Sequence, residues 1–424
     1  MSTGPGTDFV HFLTPSLNAS VKSTPLDDFR AAVRYDQFMA GRSQRATIYA
    51  RRGPSTDARE YLETRWRERM TYEPKLVALV TAGGAQREPY HRWMRYKQGF
   101  SPELVRTFLR EADRPSRSDP ILDPFCGGGT VVTECARRGI SAWGIDALES
   151  LVFLANARAY RDVPPLPDSA KCGTWQEVAE GFKLDVHRVA LMLAVGQQHT
   201  TAGRPNKNAE PLQAVLGRIV RHMREDMTNP LPCWNPVKCG DARNLTTIAA
   251  GSVGAILTSP PYLSRHDYTR LAAPYELVYR YLHPAPVSDP HAGQLPAHAR
   301  AATATDERDV PPPAVAEACQ SLVAQGDQKL AIVVRAYFLG LGRVLEEWSQ
   351  VLRPGSPSWV VIGGARLKDV YIPSDTIFAD LAEARGFDVD CIRVARDLID
   401  SRRKFGRIGH VAPRESIVIL KTPG

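Results

Sequence analysis

The sequence predicts an α/β fold: a mostly parallel, seven-stranded sheet with helices on both faces and an antiparallel last strand. Three observations predict it. From about residue 88 onward, apolar runs of strand length alternate with helical stretches, which is the texture of βαβ units. Three successive glycines, Gly127 to Gly129, stand between the first of these strands and the helix after it. Asp146 and Asp241 then fall at the ends of the next two strands, where a doubly wound sheet presents ligand-binding groups.

The elements follow in order. Residues 1–25, rich in Gly, Ser, Thr and Pro, read as a flexible lead. Residues 30–70 carry ten arginines against five acidic residues, and "DAREYLETRWRERM" has helical character. That segment is either a solvated basic helix or an arm that contacts phosphates. The N-terminal region is expected to end near residue 88, and residues 89–424 to form one domain with insertions at about 160–232 and 283–329. Within the domain, "DPILDPF" is a strand stopped by glycines, "TVVTECARR" a helix stopped at Gly139, and "SAWGID" the next strand. "NPVKCGDA", "VGAILTS", "SPSWVVIGG", "FDVDCIRVA" and "ESIVILK" complete the seven. The last two are joined without room for a long helix, which predicts an antiparallel pair. The first insertion contains helical stretches, "TWQEVAEGF" and "LQAVLGRIVRHMRE". The second opens with a run rich in Pro, Ala and charge that reads as a mobile loop.

The bulk composition narrows the function classes. At 424 residues, with 43% apolar and 24% charged content, the chain can bury a sizeable core. No apolar run approaches the roughly 20 residues of a membrane helix, and the start "MSTGPGTDFVHF" lacks the pattern of a signal peptide. A cytoplasmic location is expected. The seven cysteines are scattered without a close-spaced pattern, which argues against a disulfide framework and against a structural zinc. The net charge is +8, and only eleven of the 54 basic residues are lysine. Arginine's planar fork suits phosphates and base edges; a GC-rich genome would give the same bias.

The glycine loop "DPFCGGGTVV" lets the chain turn tightly and approach a ligand at the positive end of a helix. No Lys-Ser/Thr follows it, and Val132 stands where a dinucleotide fingerprint has its third glycine. A ligand with a ribose and a carboxylate but no phosphate fits better. Asp146 can accept from both ribose hydroxyls, and Asp241 from an adenine amino group. Each aspartate alone is more often a turn or cap residue; their order after a glycine loop favours the ligand reading. The run "VGAIL" leads directly into Ser259-Pro260-Pro261-Tyr262. That tetrapeptide is either a turn, a polyproline ligand, or polar chemistry delivered to the carboxyl edge of the sheet.

"DPFCGGGT", "GID", "CGDA" and "TSPPY" together resemble the S-adenosylmethionine-dependent amino-methyltransferases of DNA, and "TSPPY" resembles their cytosine-N4 branch. "HRWMRYKQGFSPELV" is similar to the family's segment that closes over the methionine end of the cofactor, and "VLRPGSPSWVVIG" to its loop and fifth strand. The resemblance spans roughly residues 89–424. It implies a Rossmann-like methyltransferase fold, in which Asp123, Pro124, Phe125, Cys126, Gly127, Gly129 and Thr130 line the cofactor, Asp146 holds its ribose and Asp241 its adenine. Phe100 and Ser101 would lie near the methionine end. Ser101-Pro102-Glu103 is also a complete helix start, which explains those residues locally. Cys126 stands where the family often has serine or another small residue.

The tetrapeptide suits amino-group methylation. The exocyclic nitrogen of cytosine is a weak nucleophile, because its lone pair is delocalised into the ring. The Ser259 hydroxyl and the Pro260 carbonyl offer acceptors to its N–H bonds, and the prolines hold the segment rigid. The activated methyl comes with the cofactor, so neither a metal nor a covalent enzyme intermediate is needed. A base reached by flipping costs a few kcal/mol to unstack, and the Tyr262 ring would return about 1–3 kcal/mol by stacking. Arg265 and His266 are candidate contacts to the flipped nucleotide, or solvated loop residues. Arg402, Arg403, Lys404 and Arg407 join the last two strands and are candidate DNA contacts, or a solvated hairpin tip. The alternatives are adenine-N6 methylation, methylation of RNA, and a DNA-binding module without catalysis. A partner endonuclease belongs to the restriction-modification setting the resemblance implies.

Overall fold

A computed structural model describes residues 58–94, 99–114, 118–199, 204–264, 267–284, 293–298, 309–398 and 413–424. The flexible lead, the first part of the arginine-rich segment, Arg265, His266, Arg402, Arg403, Lys404 and Arg407 lie outside the described residues. The unit described below spans Pro54–Gly424.

Helix α1 (Ala58–Trp66) and strand β1 (Met70–Tyr72) open it. A short helix α2 (Val77–Val80) and helix α3 (Pro102–Glu111) lead to strand β2 (Ile121–Asp123), helix α4 (Thr130–Ala136), strand β3 (Ala142–Asp146) and helix α5 (Glu149–Asn156). Helices α6 (Trp175–Glu180), α7 (Asp185–Gln197) and α8 (Leu212–Met227) fill the first insertion. Strands β4 (Lys238–Cys239) and β5 (Ala255–Thr258) and helix α9 (Tyr268–Leu282) follow. Helices α10 (Pro313–Ala324) and α11 (Gln328–Val351) lead into β6 (Pro357–Gly363), the hairpin β7 (Ala365–Leu367) and β8 (Val370–Ile372), and helix α12 (Ser374–Glu383). Strands β9 (Asp388–Asp397) and β10 (Arg414–Lys421) close the sheet.

The main sheet runs β1-β9-β10-β6-β5-β2-β3-β4. All pairs are parallel except those of β10, which is antiparallel to both β6 and β9. The expected α/β architecture and its antiparallel last strand are both present. Strands β2, β5 and β6 are buried along their whole length. That is why they read as continuous apolar runs rather than alternating ones. From β2 the chain adds β3 and β4 on one side; β5 and β6 are added on the other. Neighbours β2 and β5 therefore mark the switch point, outside whose carboxyl ends a crevice opens.

Three elements differ from the sequence reading. The sheet has an eighth strand, β1, too short at three residues to leave a periodic signal. Helix α1 packs on the sheet as well. Glu63 pairs with Arg414 of β10 at 2.7 Å, and Arg414, 4% exposed, also pairs with Asp375 of α12 at 2.9 Å. The boundary expected near residue 88 thus falls inside the unit. In the second insertion, expected as a loop, residues 313–324 form helix α10, and Leu295 and Ala297 are buried. The insertion at 160–232 packs into a second core that includes Leu191 and Leu216 and is shared with α5 and α9, the latter contributing Tyr275.

Candidate active site

The site is built from the loops that leave β2, β3 and β5. After Asp123 the chain turns through the glycine loop, where Gly127 (φ 50°) and Gly129 (φ 81°) both take the left-handed conformation that side chains disfavour. Asp146, at the end of β3, holds that loop. Its Oδ2 accepts from the Gly127 N–H at 2.7 Å and its Oδ1 from the Leu148 N–H at 2.9 Å. Each oxygen keeps a further lone pair for a ligand hydroxyl. Burial pushes the Asp146 carboxyl above its ordinary range, against the pull of these backbone bonds.

The loop is tied to the end of β5 by a buried bond, in which the Thr258 hydroxyl donates to Asp123 Oδ1 at 2.6 Å. The Phe125 N–H donates to the same oxygen at 3.2 Å. This link sets the glycine loop beside Ser259, the residue after Thr258. Burial pushes the Asp123 carboxyl up to about 7; its two hydrogen bonds act the other way, and nearby Asp146 adds to the rise. Its unfolded value is near 4, so the folded protein holds the extra proton between about pH 4 and about pH 7. The associated stability is fully present below about pH 4 and is lost as pH rises through about 7. Asp123→Asn, which keeps an acceptor oxygen, is expected to remove this slope. Relative to wild type the variant gains stability from about pH 5 to about pH 8, by at most about 1.4 kcal/mol per pH unit. Urea unfolding at the two pH values reads the gain; an unchanged difference shows that Asp123 titrates as an ordinary carboxyl.

A cleft of about 810 Å³, counted to its open mouth, lies over these loops. Phe100, Asp123, Pro124, Phe125, Cys126, Gly127, Thr130 and Asp146 line it, and so do Ser259 and Pro261. The cofactor-loop residues and two of the four tetrapeptide residues, Ser259 and Pro261, therefore meet in one cavity. Gly129 turns the loop from behind, and Cys126 is a buried thiol whose pKa burial raises well above its ordinary value. Among the described residues, no cluster of three or more His, Cys, Asp or Glu could hold a metal ion.

Besides Gly129, four of the described site residues expected from sequence do not line the cleft; one is Pro260, which is buried between Ser259 and Pro261. The Ser101 side chain caps α3, accepting from the Glu103 N–H at 3.2 Å, and does not line the cleft. Asp241 spends both oxygens on Arg243, whose Nε and Nη2 donate at 2.9 and 2.7 Å, while its neighbours Gly240 and Ala242 form the cleft wall. Tyr262, expected as a stacking ring, is turned into the protein. It is 9% exposed, and its hydroxyl donates to Glu415 Oε1 at 2.9 Å.

Besides Phe100 and Phe125, the cleft is lined by the ring of Tyr268, the first residue of α9, which the sequence reading does not single out. Its hydroxyl accepts from the Tyr262 N–H at 3.0 Å. The local signal for it is Asp267, whose side chain caps α9 by accepting from the Arg270 N–H at 3.1 Å and so fixes where the helix starts. Gly293, Gln294 and Leu295 of the second insertion also line the cleft. Composition cannot place them, because they are held by contacts distant in sequence, such as the Ser264 N–H donating to the Ala297 carbonyl at 2.7 Å.

No protein-family model matches the chain. It is similar to the type II methyltransferase M.AvaI of Nostoc sp., 22% identical over 453 residues, with 85% of this chain and 92% of that protein covered. It is also 23% identical to the type II methyltransferase M.BsoBI of Geobacillus stearothermophilus, covering 84% of this chain and 89% of that one. Among solved structures, TrmN from Thermus thermophilus superposes with a TM-score of 0.32 at 14% identity. The match covers 80% of this chain but only 53%, about half, of TrmN. A superposition this loose leaves the fold assignment to the strand order.

Proposed function

We propose that the chain is a site-specific DNA methyltransferase that transfers a methyl group from S-adenosylmethionine to the exocyclic N4 amino group of cytosine in a flipped base. The observation that carries the reading is the shared cleft: Ser259 and Pro261 line the same cavity as the glycine loop and Asp146, locked together by the Thr258–Asp123 bond. The similarity over most of the chain to two type II methyltransferases supports it, and also supports a restriction-modification setting with a partner endonuclease.

The residues present fit the cofactor. Asp146 has lone pairs left for a ribose, the glycines leave its approach open, and Phe100, Leu148 and Leu151 give an apolar lining. Bound there, S-adenosylmethionine supplies a methyl group activated by its sulfonium. The protein's residues do the rest. The Ser259 hydroxyl and Pro260 carbonyl accept from the amino N–H bonds as the nitrogen becomes tetrahedral, which stabilises the charge that develops.

Base flipping costs a few kcal/mol; Tyr268 lines the cleft with Ser259 and Pro261, and the stacking role expected of Tyr262 is assigned to it. Tyr268→Ala is expected to weaken productive binding of the target duplex by about 1–3 kcal/mol, roughly 5- to 150-fold, with cofactor affinity unchanged. Titration of the two ligands separately checks this. The positive net charge supports engagement of phosphates, with Arg265, His266, Arg402, Arg403, Lys404 and Arg407 the expected contacts.

The test of the reaction is direct. The protein is incubated with S-adenosylmethionine and DNA from a methylation-deficient strain, and the DNA is digested to nucleosides and separated. N4-methylcytosine is the expected product. N6-methyladenine alone overturns the choice of base, and methylation of tRNA but not of duplex DNA overturns the choice of nucleic acid.

A further inference from the structure

A buried guanidinium lies behind the glycine loop with no acid to balance it. Arg158, two residues past the end of α5, is 4% exposed. Its Nη1 donates to the Leu154 and Ala155 carbonyls, at 3.3 and 3.5 Å, and its Nε has no partner. No carboxylate among the described residues pairs with it. Burial lowers its pKa to about 10, which leaves it charged at neutral pH. The two carbonyls belong to the last turn of α5, and a helix end is satisfied as well by water or a neutral donor. Arginine is almost never fully buried unless paired, because a buried charge without a counter-charge is costly.

The surroundings set this charge against the cofactor loop. A Cβ on Gly129 would lie 3.5 Å from Arg158 Nη1, so the guanidinium abuts the loop's backbone. The Trp93 ring lies on another side, its centroid 6.0 Å from Arg158 Cζ. Gly128 and Thr130, on either side of Gly129, line the cleft. The charge is thus one layer of backbone away from the cavity. The cavity itself is short of positive charge: among the described residues that line it, Asp123 and Asp146 are acidic and none is basic. The loop's own donors are largely taken. The Phe125 N–H serves Asp123 and the Gly127 N–H serves Asp146, while those of Cys126 and Gly129 serve the Ile145 and Cys126 carbonyls. S-adenosylmethionine ends in an amino acid whose carboxylate carries a full negative charge. With the ribose at Asp146 and the methyl directed at Ser259, the wall left for that end is the glycine loop with Gly99 and Phe100.

Building on the methyltransferase reading, we propose that Arg158 is the counter-charge for the cofactor's carboxylate, acting across Gly129, so that the site selects a ligand with an intact amino-acid end. The attraction runs through packed protein, where it is stronger than across water. Glycine at 129 keeps the intervening layer thin: a side chain there would be strained at φ 81° and would lie against the guanidinium.

The test compares two ligands that differ only in the carboxylate, S-adenosylmethionine and its decarboxylated form. Calorimetry on the full chain without DNA gives both affinities for wild type, Arg158→Met, Arg158→Gln and Arg158→Lys, with melting temperature as a folding control. Wild type is expected to favour S-adenosylmethionine by roughly 10- to 100-fold, the size of one charge pair across a thin layer of protein. Arg158→Met keeps the apolar stem and is expected to lose that preference. Its affinity for S-adenosylmethionine falls by the same factor, and its affinity for the decarboxylated form stays within about threefold of wild type. Arg158→Lys keeps the charge and is expected to keep most of the preference. If Arg158→Met does not fold, Arg158→Gln carries the comparison. Equal losses for the two ligands make Arg158 a cap of α5 alone and overturn the proposal. A preference that survives in Arg158→Met, or that is absent in wild type, overturns it too; in each of these cases the methyltransferase reading stands. A wild type that binds neither ligand overturns both.

Discussion

Ser259→Ala is expected to lower the single-turnover rate of methyl transfer by about 10²–10³-fold and to leave cofactor affinity within about twofold. The size follows from the role. In the proposed role the hydroxyl accepts from the substrate amino group, and its stabilisation is needed most when charge develops on the nitrogen. Removing one preorganised group of this kind costs about 2.7–4 kcal/mol of transition-state stabilisation. The hydroxyl is not among the groups that hold the glycine loop, which hangs on Asp146 and Asp123. Rate and cofactor affinity should therefore separate. A variant that binds cofactor more weakly in proportion to its lost rate would show that Ser259 belongs to the cofactor pocket instead.

Asp146→Ala is expected to do the reverse. The substitution releases the Gly127 and Leu148 N–H groups together and removes the acceptors left for a ribose. Hydrogen bonds to a charged group are worth about 1.5–3 kcal/mol each, and every 1.4 kcal/mol is tenfold in affinity. Cofactor affinity should fall by at least about 10²-fold, while saturating cofactor recovers most of the rate. Asp146→Asn should rescue little, because its amide nitrogen would face one of the two backbone N–H groups. Calorimetry with the cofactor alone settles the matter. Equal affinity for wild type and Asp146→Ala would remove the residue from the site.

Ser259 and Asp146 are both legible in the sequence, and the reason is local. A glycine run between a strand and a helix, an aspartate at the end of the next strand, and Ser-Pro-Pro-Tyr after an apolar run are each set by a few neighbouring residues. The sheet then brings them to one edge by parallel pairing of β2 with β3 and with β5. Tyr262 shows where local patterns stop. Being next to Ser259 and Pro261 says nothing about which side of the segment its ring occupies. That side is decided by Gly363 and Glu415, both distant in the chain, which offer the ring a slot and its hydroxyl an acceptor. The Asp241 carboxylate, expected to face an adenine, is paired with Arg243 two residues on.

From the sequence alone came the α/β class, the parallel strands with their antiparallel end, and the glycine loop and the tetrapeptide as neighbours in chemistry, since these depend on periodicity and on residue types with narrow conformational ranges. The tertiary structure alone decided that helix α1 and strand β1 join the same unit through the buried Arg414 cluster and the pairing with β9, that residues 293–295 wall the cleft, and that Tyr268 rather than Tyr262 faces it. Those outcomes rest on burial and hydrogen bonding between segments far apart in the chain. Such contacts form only once the sheet is assembled, and no local pattern encodes which distant partner will satisfy a given side chain.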